Sequence, residues 1–220
     1  MSFLKIFSHR KKESGGLPAL PLAEEDFRSL IFSVEDKELK PRLPDLSQKR
    51  VLEISPRQKS FVPVLKEKGA KLVVRLGGTK EKNMSTEAFI VSHWESLPLL
   101  DQSTEVVVLR TSLIRGSLGR LIREAGRITA SRGTVLISDF HPFSTMTQAD
   151  HMKNAVAEEG LSPGFERYSK WFRDAGLRLD WVKEVFFEGG LKKLLPAAAQ
   201  QNFEMLRRTP FMIFFSLKKE

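Results

Sequence analysis

Asp139 and His141 flank a phenylalanine in the segment Ile137-Ser138-Asp139-Phe140-His141-Pro142. Two residues apart on an extended chain, their side chains project to one side. A carboxylate beside an imidazole can act as a general base or as part of a metal site. The same pair can instead cap a following helix, because Asp accepts from exposed backbone N–H groups. Glu95, Arg110 and His151 belong to neighbouring segments that would open near the same mouth. A second polar run, Glu53-Ile54-Ser55-Pro56-Arg57-Gln58-Lys59, follows the apolar stretch that begins at Val51. Arg75 interrupts the next apolar run, and His93-Trp94 follows the one after it. Charged groups at the ends of apolar runs stand where open parallel sheets receive ligands, beyond the carboxyl ends of their strands.

Those residues need a sheet to hold them, and the apolar runs supply one. Val106 to Leu109 and Val135 to Ile137 are continuous apolar segments, as in strands covered on both faces. Between them Leu113, Leu118, Leu121, Ile122, Ala125 and Ile128 recur at helical spacing, with Arg132 and Gly133 expected to close that helix. Strand, helix and strand joined by short loops make a right-handed parallel crossover. Further strands are expected at Val51–Ile54, Leu72–Val74, Ala88–Val91, Leu177–Phe187 and Phe211–Leu217. Helices are expected at Ala23–Asp36, at Gln58–Lys68 with Pro63 either kinking it or marking its true start and Gly69 as its cap, and from Ser162-Pro163 to Ala175-Gly176. The helical insertions fall at about residues 143–176 and 191–208. The fold class is therefore α/β: a doubly wound, Rossmann-like, seven-stranded, mostly parallel sheet with helices on both faces and an antiparallel last strand. Residues 17–220 read as one domain behind a flexible basic tip, residues 1–16.

Composition narrows the function classes. At 220 residues the chain can bury a full core. It has no apolar run of the ~20 residues needed to cross a bilayer and no signal-peptide pattern. Without cysteine there is neither a disulfide nor a thiolate metal site, which fits a cytoplasmic location. Net charge is +9, favouring an acidic partner. Phe3, Leu4, Ile6 and Phe7 lie among Lys5, His9, Arg10, Lys11 and Lys12, so residues 3–12 read either as a peripheral anchor to an anionic membrane surface or as a frayed terminus. Arg115, Arg120, Arg123 and Arg127 approach helical spacing, and Lys192, Lys193, Arg207 and Arg208 bracket the late insertion. No nucleic-acid motif accompanies them, so a solvated basic face is expected rather than nucleic-acid binding.

The stretch from Trp94 to Pro142 carries a resemblance. Its Glu-x-Leu-Pro-x-x-Asp-x-Ser-Thr-Glu-Val-Val run, Leu-x-Arg-Glu-x-x-Arg helix and Gly-x-Val-x-Ile-Ser-Asp-x-His-Pro strand are similar to the second half of a class I S-adenosylmethionine-dependent methyltransferase of the type 11 kind, over roughly residues 50–185. The resemblance implies a cofactor site, and this chain departs from it at three places. Where the family has an acid and a glycine-rich turn, Glu53 keeps the acid but Ser55, Arg57 and Lys59 stand at the glycine positions, and Pro56 removes a donor. Where the second strand should end in an acid that binds both ribose hydroxyls, Arg75 stands; a cation there suits a phosphate instead. Where an acid–alanine pair should grip adenine, His93-Trp94 stands, with an indole that either fills the space itself or stacks on a base. The expected function is a methyltransferase-like protein without S-adenosylmethionine that works as a scaffold or regulatory protein-interaction subunit. The alternative is an active small-molecule methyltransferase with a rebuilt site that does use S-adenosylmethionine. Neither reading calls for a metal.

Overall fold

A computed structural model describes residues 24–55, 60–77, 88–91, 96–110, 118–142, 144, 164–189, 192, 200 and 203–220. Chain order is α1 (Glu24–Leu39), a 3₁₀ turn (Lys40–Arg42), β1 (Arg50–Ile54), α2 (Val62–Glu67), β2 (Leu72–Gly77), β3 (Ala88–Val91), β4 (Thr104–Arg110), α3 (Leu118–Ile128), β5 (Thr129–Phe140), α4 (Phe165–Asp174), β6 (Leu177–Phe186), α5 (Phe203–Leu206) and β7 (Pro210–Lys219). The seven strands form one sheet in the order β3-β2-β1-β4-β5-β7-β6. Strands β1 to β5 pair in parallel, and β7 runs antiparallel between β5 and β6. This is the expected doubly wound sheet with its late antiparallel strand. Strand order reverses between β1 and β4, which makes their carboxyl ends the topological switch point.

Alternation along each strand divides the core in two. Val51, Val73, Val106, Val108, Leu136, Met212 and Phe214 face α1 and α2, packing on Leu30, Ile31, Val34, Val62 and Leu65. Leu52, Ile54, Leu76, Val107, Leu109, Val135, Ile137, Ile213 and Phe215 face α3 and α4. Burial on both sides explains why the inner strands read as unbroken apolar runs.

Several boundaries moved from their sequence-based positions. Helix α1 continues to Leu39, three residues beyond its expected end at Asp36. The cap expected at Arg132 and Gly133 is not there: α3 stops at Ile128 and β5 begins at the next residue. The left-handed backbone belongs to Arg132, with φ 62°, and not to Gly133. Glycine is needed at 133 for space, since a Cβ would lie 2.6 Å from Thr129 Cγ2 and 2.8 Å from the Glu105 carbonyl. The reason is a bulge, across which the β4–β5 register passes from Thr104–Thr129 to Val106–Thr134. Other expectations held: Pro63 sits in the first turn of α2, and Gly69 (φ 86°) and Gly176 (φ 63°) take the left-handed conformation after their helices. Ser162-Pro163, most of both insertions and residues 1–16 lie outside the described residues.

Helices α3 and α4 meet through two glycines. A Cβ on Gly119 would stand 2.4 Å from Trp171 Nε1, and one on Gly126 would stand 2.4 Å from the Ala175 carbonyl oxygen. The second obstacle is backbone and cannot rotate away. Gly126→Ala should therefore destabilise the protein by about 1–3 kcal/mol through overpacking, despite the better helix propensity of alanine. Urea denaturation would check this, and an unchanged or raised midpoint would refute the close contact.

Candidate functional site

Four polar side chains at the switch point share one face of the sheet. Glu53 of β1 is level with Arg75 of β2, and Arg110 of β4 is level with Ser138 of β5. Each lies two residues beyond a core residue on the α1 side, namely Val51, Val73, Val108 and Leu136, so strand alternation turns all four toward α1. Helix α1 answers with Glu35 and Asp36. The Arg110 Nε donates to Glu35 Oε2 at 2.8 Å, and Ser138 Oγ donates to Glu35 Oε1 at 2.6 Å. Arg110 also lies 3.6 Å from Glu53 Oε1 and 3.7 Å from Asp36 Oδ1, with its guanidinium 4.9 Å from the Phe32 ring centre and 5.5 Å from that of Phe61.

Glu53 is fully engaged. Both its carboxylate oxygens accept from the Phe61 backbone N–H, at 2.9 and 3.0 Å, and Ser60 Oγ lies 3.3 Å away. Arg75 Nε is 3.4 Å from Ser55 Oγ and 4.0 Å from Glu53 Oε2. Arg110, Glu35, Glu53, Ser55, Arg75 and Ser138 are each at most 2% exposed. Burial pushes the Glu53 carboxyl above its usual range, against the pull of Arg110, the Phe61 N–H and Arg75. For Arg110 burial alone would lower the pKa, but Glu35 and Glu53 outweigh it and hold the guanidinium charged. The structure thus brings Glu53, Ser55 and Arg75 together and turns Arg75 inward onto protein acceptors. Arg57, Lys59, His93, Trp94, Pro56, Glu95 and His151 lie outside the described residues.

Glu35 and Asp36 were missed by the sequence reading. A signal did exist: Ile31, Glu35 and Leu39 are spaced by four on α1, and all are buried, so an acid occupied the apolar stripe.

Asp139 and His141 are held separately, and among the described residues neither caps a helix. Asp139 lies within β5, where its Oδ1 accepts from the Phe140 N–H at 2.8 Å and its Oδ2 from the Tyr168 hydroxyl at 2.8 Å. His141 Nε2 lies 2.9 Å from Glu184 Oε1 on β6, and its ring meets Phe165 edge-on at 5.5 Å. They do project to the same side, toward α4. Burial raises Asp139 to about 6, with Glu35 adding to the shift and Tyr168 and the Phe140 N–H opposing it. Burial lowers His141, against the opposing influence of Glu184. No group of three or more metal-ligating side chains occurs among the described residues.

The basic residues divide by role. Arg127 is structural, bound to Glu124, to Asp101 and to the Leu97 and Leu99 carbonyls, and so fastens the loop before β4. Arg120, Arg123, Arg207 and Arg208 are exposed, as a solvated face requires, and Arg115 and Lys193 lie outside the described residues. No described helix is long and apolar enough to cross a membrane.

No profile of a known protein family matches the chain, and no curated protein sequence does. Solved structures do match. A Listeria monocytogenes protein assigned as an S-adenosylmethionine dependent methyltransferase aligns over 87% of this chain and 99% of its own, with TM-score 0.66 at 20% identity. An S-adenosylmethionine dependent methyltransferase from Mesorhizobium loti aligns over 84% and 97%, with TM-score 0.63 at 16% identity. The chain has the fold of the S-adenosylmethionine-dependent methyltransferases. A third example of the methyltransferase fold, from Haloferax volcanii, was solved in complex with the Trm112 methyltransferase activator; it aligns over 88% and 94%, with TM-score 0.60 at 16% identity. At such identities the likeness carries the scaffold, and the site must be argued from its own residues.

Two outcomes follow from the geometry. Arg110→Met should cost about 3–5 kcal/mol in urea denaturation, because Glu35 and Glu53 would be left buried without their cation; a loss below about 1 kcal/mol, as for a surface pair, would refute the network. Asp139 binds its proton more tightly folded than unfolded, so its contribution is fully present below the free-carboxylate range near pH 4 and is lost as pH rises through about 6. The melting temperature of wild type minus that of Asp139→Asn should therefore fall between pH 4 and pH 7, and a flat difference would contradict the burial of that carboxyl.

Proposed function

We propose that this chain is a methyltransferase-fold protein that no longer binds S-adenosylmethionine and serves as a non-catalytic scaffold or regulatory subunit. The observation that carries the reading is the buried Arg75–Ser55–Glu53–Arg110 network at the carboxyl ends of β1, β2 and β4. A ribose needs acceptors there, and a cation buried among its own protein partners offers none. The Glu53 lone pairs are already directed at the Phe61 N–H and at the arginines. Bulk at Arg57, Lys59 and Trp94, where the resemblance calls for glycines and a small adenine-gripping pair, acts in the same direction. With the ligand position given over to internal ion pairs, what persists is a rigid sheet able to present surfaces. The Haloferax neighbour, a complex with an activator protein, supports the idea of a protein partner for this fold.

The competing reading is an active S-adenosylmethionine-dependent methyltransferase of small-molecule type, supported by the names of the Listeria and Mesorhizobium neighbours. In it Asp139 and His141 would be the residues nearest the chemistry.

Calorimetric titration with S-adenosylmethionine and with S-adenosylhomocysteine separates the two. The expected result is no heat beyond dilution, for wild type and for Arg57→Gly with Lys59→Gly, since Arg75 and Trp94 remain. A micromolar Kd for either ligand would overturn the proposal and favour the enzyme.

A further inference from the structure

Helices α3 and α4 lie side by side on the sheet, with Gly119 against Trp171 and Gly126 against Ala175. Their inner faces belong to the core, through Leu121, Ile122, Ala125 and Ile128 on one helix and Tyr168, Trp171 and Phe172 on the other. What the pair turns outward is basic. Arg120 and Arg123 are exposed on α3, one turn apart, and Lys170 and Arg173 are exposed on α4 at the same spacing. Lys219 adds a further cation at the end of α4, where its Nζ donates to the Ala175 carbonyl at 2.9 Å.

The two rows are near enough to act on one carboxylate. Asp174 Oδ2 accepts from Lys170 Nζ at 2.8 Å, and that bond, with the charges of Lys170, Arg123 and Arg173, holds the Asp174 carboxyl below its ordinary range. The acids of this surface are largely committed, Asp174 to Lys170 and Glu124 to Arg127 and the Leu97 N–H. Arg123 and Arg173 act on Asp174 through space and make no direct ion pair among the described residues. Like charges one turn apart destabilise a helix, and an arriving anion reverses that cost.

A guanidinium fork takes a carboxylate or a phosphate equally well, so the rest of the surface decides between a protein and a nucleic acid. Tyr168, Trp171 and Phe172, the rings beside Lys170 and Arg173, are buried and cannot stack on bases. Glu166 and Asp174 are exposed on the same helix, and a phosphate backbone would meet them with like charge. A protein segment can place its carboxylates to avoid them. Cations one helical turn apart match carboxylates one helical turn apart.

We propose that the outer face of α3 and α4 docks a carboxylate-rich helix of a partner protein, whose acids meet Arg120, Arg123, Lys170 and Arg173. The proposal rests on the reading of the chain as a protein-interaction subunit, and it names the surface and the chemistry of the partner.

Fluorescence anisotropy of the full chain with a labelled helical peptide, carrying glutamate at every third or fourth position, tests it. Wild type should bind with a micromolar Kd at low salt and lose affinity as salt rises. Arg123→Glu combined with Arg173→Glu should weaken binding about tenfold or more. Lys66→Glu combined with Lys68→Glu makes the same change in net charge at exposed positions of α2 and its cap, on the opposite face of the sheet. That variant should stay within about twofold of wild type, because distant charges are screened. Circular dichroism checks that both variants are folded. Absence of wild-type binding would overturn the proposal. So would equal losses in the two variants, which would report net charge alone, or tighter binding of a single-stranded oligonucleotide of equal charge in competition. Calorimetry with S-adenosylmethionine stands apart: heat there retires the cofactor argument whatever the peptide does, whereas a silent peptide retires only the docking surface.

Discussion

A guanidinium enclosed beneath an α-helix is the constraint around which this molecule is arranged. Arg110 emerges from the end of β4 with no solvent to screen it, and transferring such a charge from water costs several kcal/mol even after relaxation. It remains charged because α1 supplies Glu35 and β1 supplies Glu53. The helix cannot leave the sheet without stranding the cation, nor can the cation turn outward without stranding two carboxylates. Aliphatic packing of Leu30, Ile31 and Val34 would hold α1 against the sheet in many sliding positions, whereas hydrogen bonds from Arg110 and Ser138 to a single carboxylate fix one. The polar network thus sets the position of a helix whose adhesion is apolar.

The location of that network matters as much as its strength. In an open parallel sheet the crevice outside the carboxyl ends, where strand order reverses, is where ligands are received. Here that region holds Glu53, Ser55, Arg75 and Arg110, all committed to one another or to backbone N–H groups. The methyltransferase fold provides the stage without dictating what is bound on it.

On the opposite face the logic is steric. Gly119 and Gly126 let α3 approach Trp171 and Ala175 closely, and Tyr168, Phe172 and Phe215 stack beneath. Burial beneath that aromatic layer raises the pKa of Asp139 against the opposing hydrogen bond from the Tyr168 hydroxyl, and that bond separates it in role from His141, tied to Glu184 on β6. The apolar cover thins out along β6, where α4 no longer reaches.

The sequence by itself determined the architecture. Continuous apolar runs such as Val106–Leu109 identify strands buried on both faces, Pro63, Gly69 and Gly176 mark helix ends, and β3 falls on the four residues expected of it. These signals are local, since each depends on periodicity or on a backbone preference within a few residues. It also identified Ser55 and Arg75 as departures from a glycine-and-acid pattern whose first acid Glu53 keeps. Where those side chains went was beyond it. That Arg75 folds inward, that Arg110 binds an acid seventy-five positions earlier, and that Asp139 and His141 part toward Tyr168 and Glu184 depend on which strands become neighbours. The bulge that displaced the expected cap at Gly133 arises the same way, from the β4–β5 register. Periodicity reports which face a residue occupies, and only the packed structure decides what waits on that face.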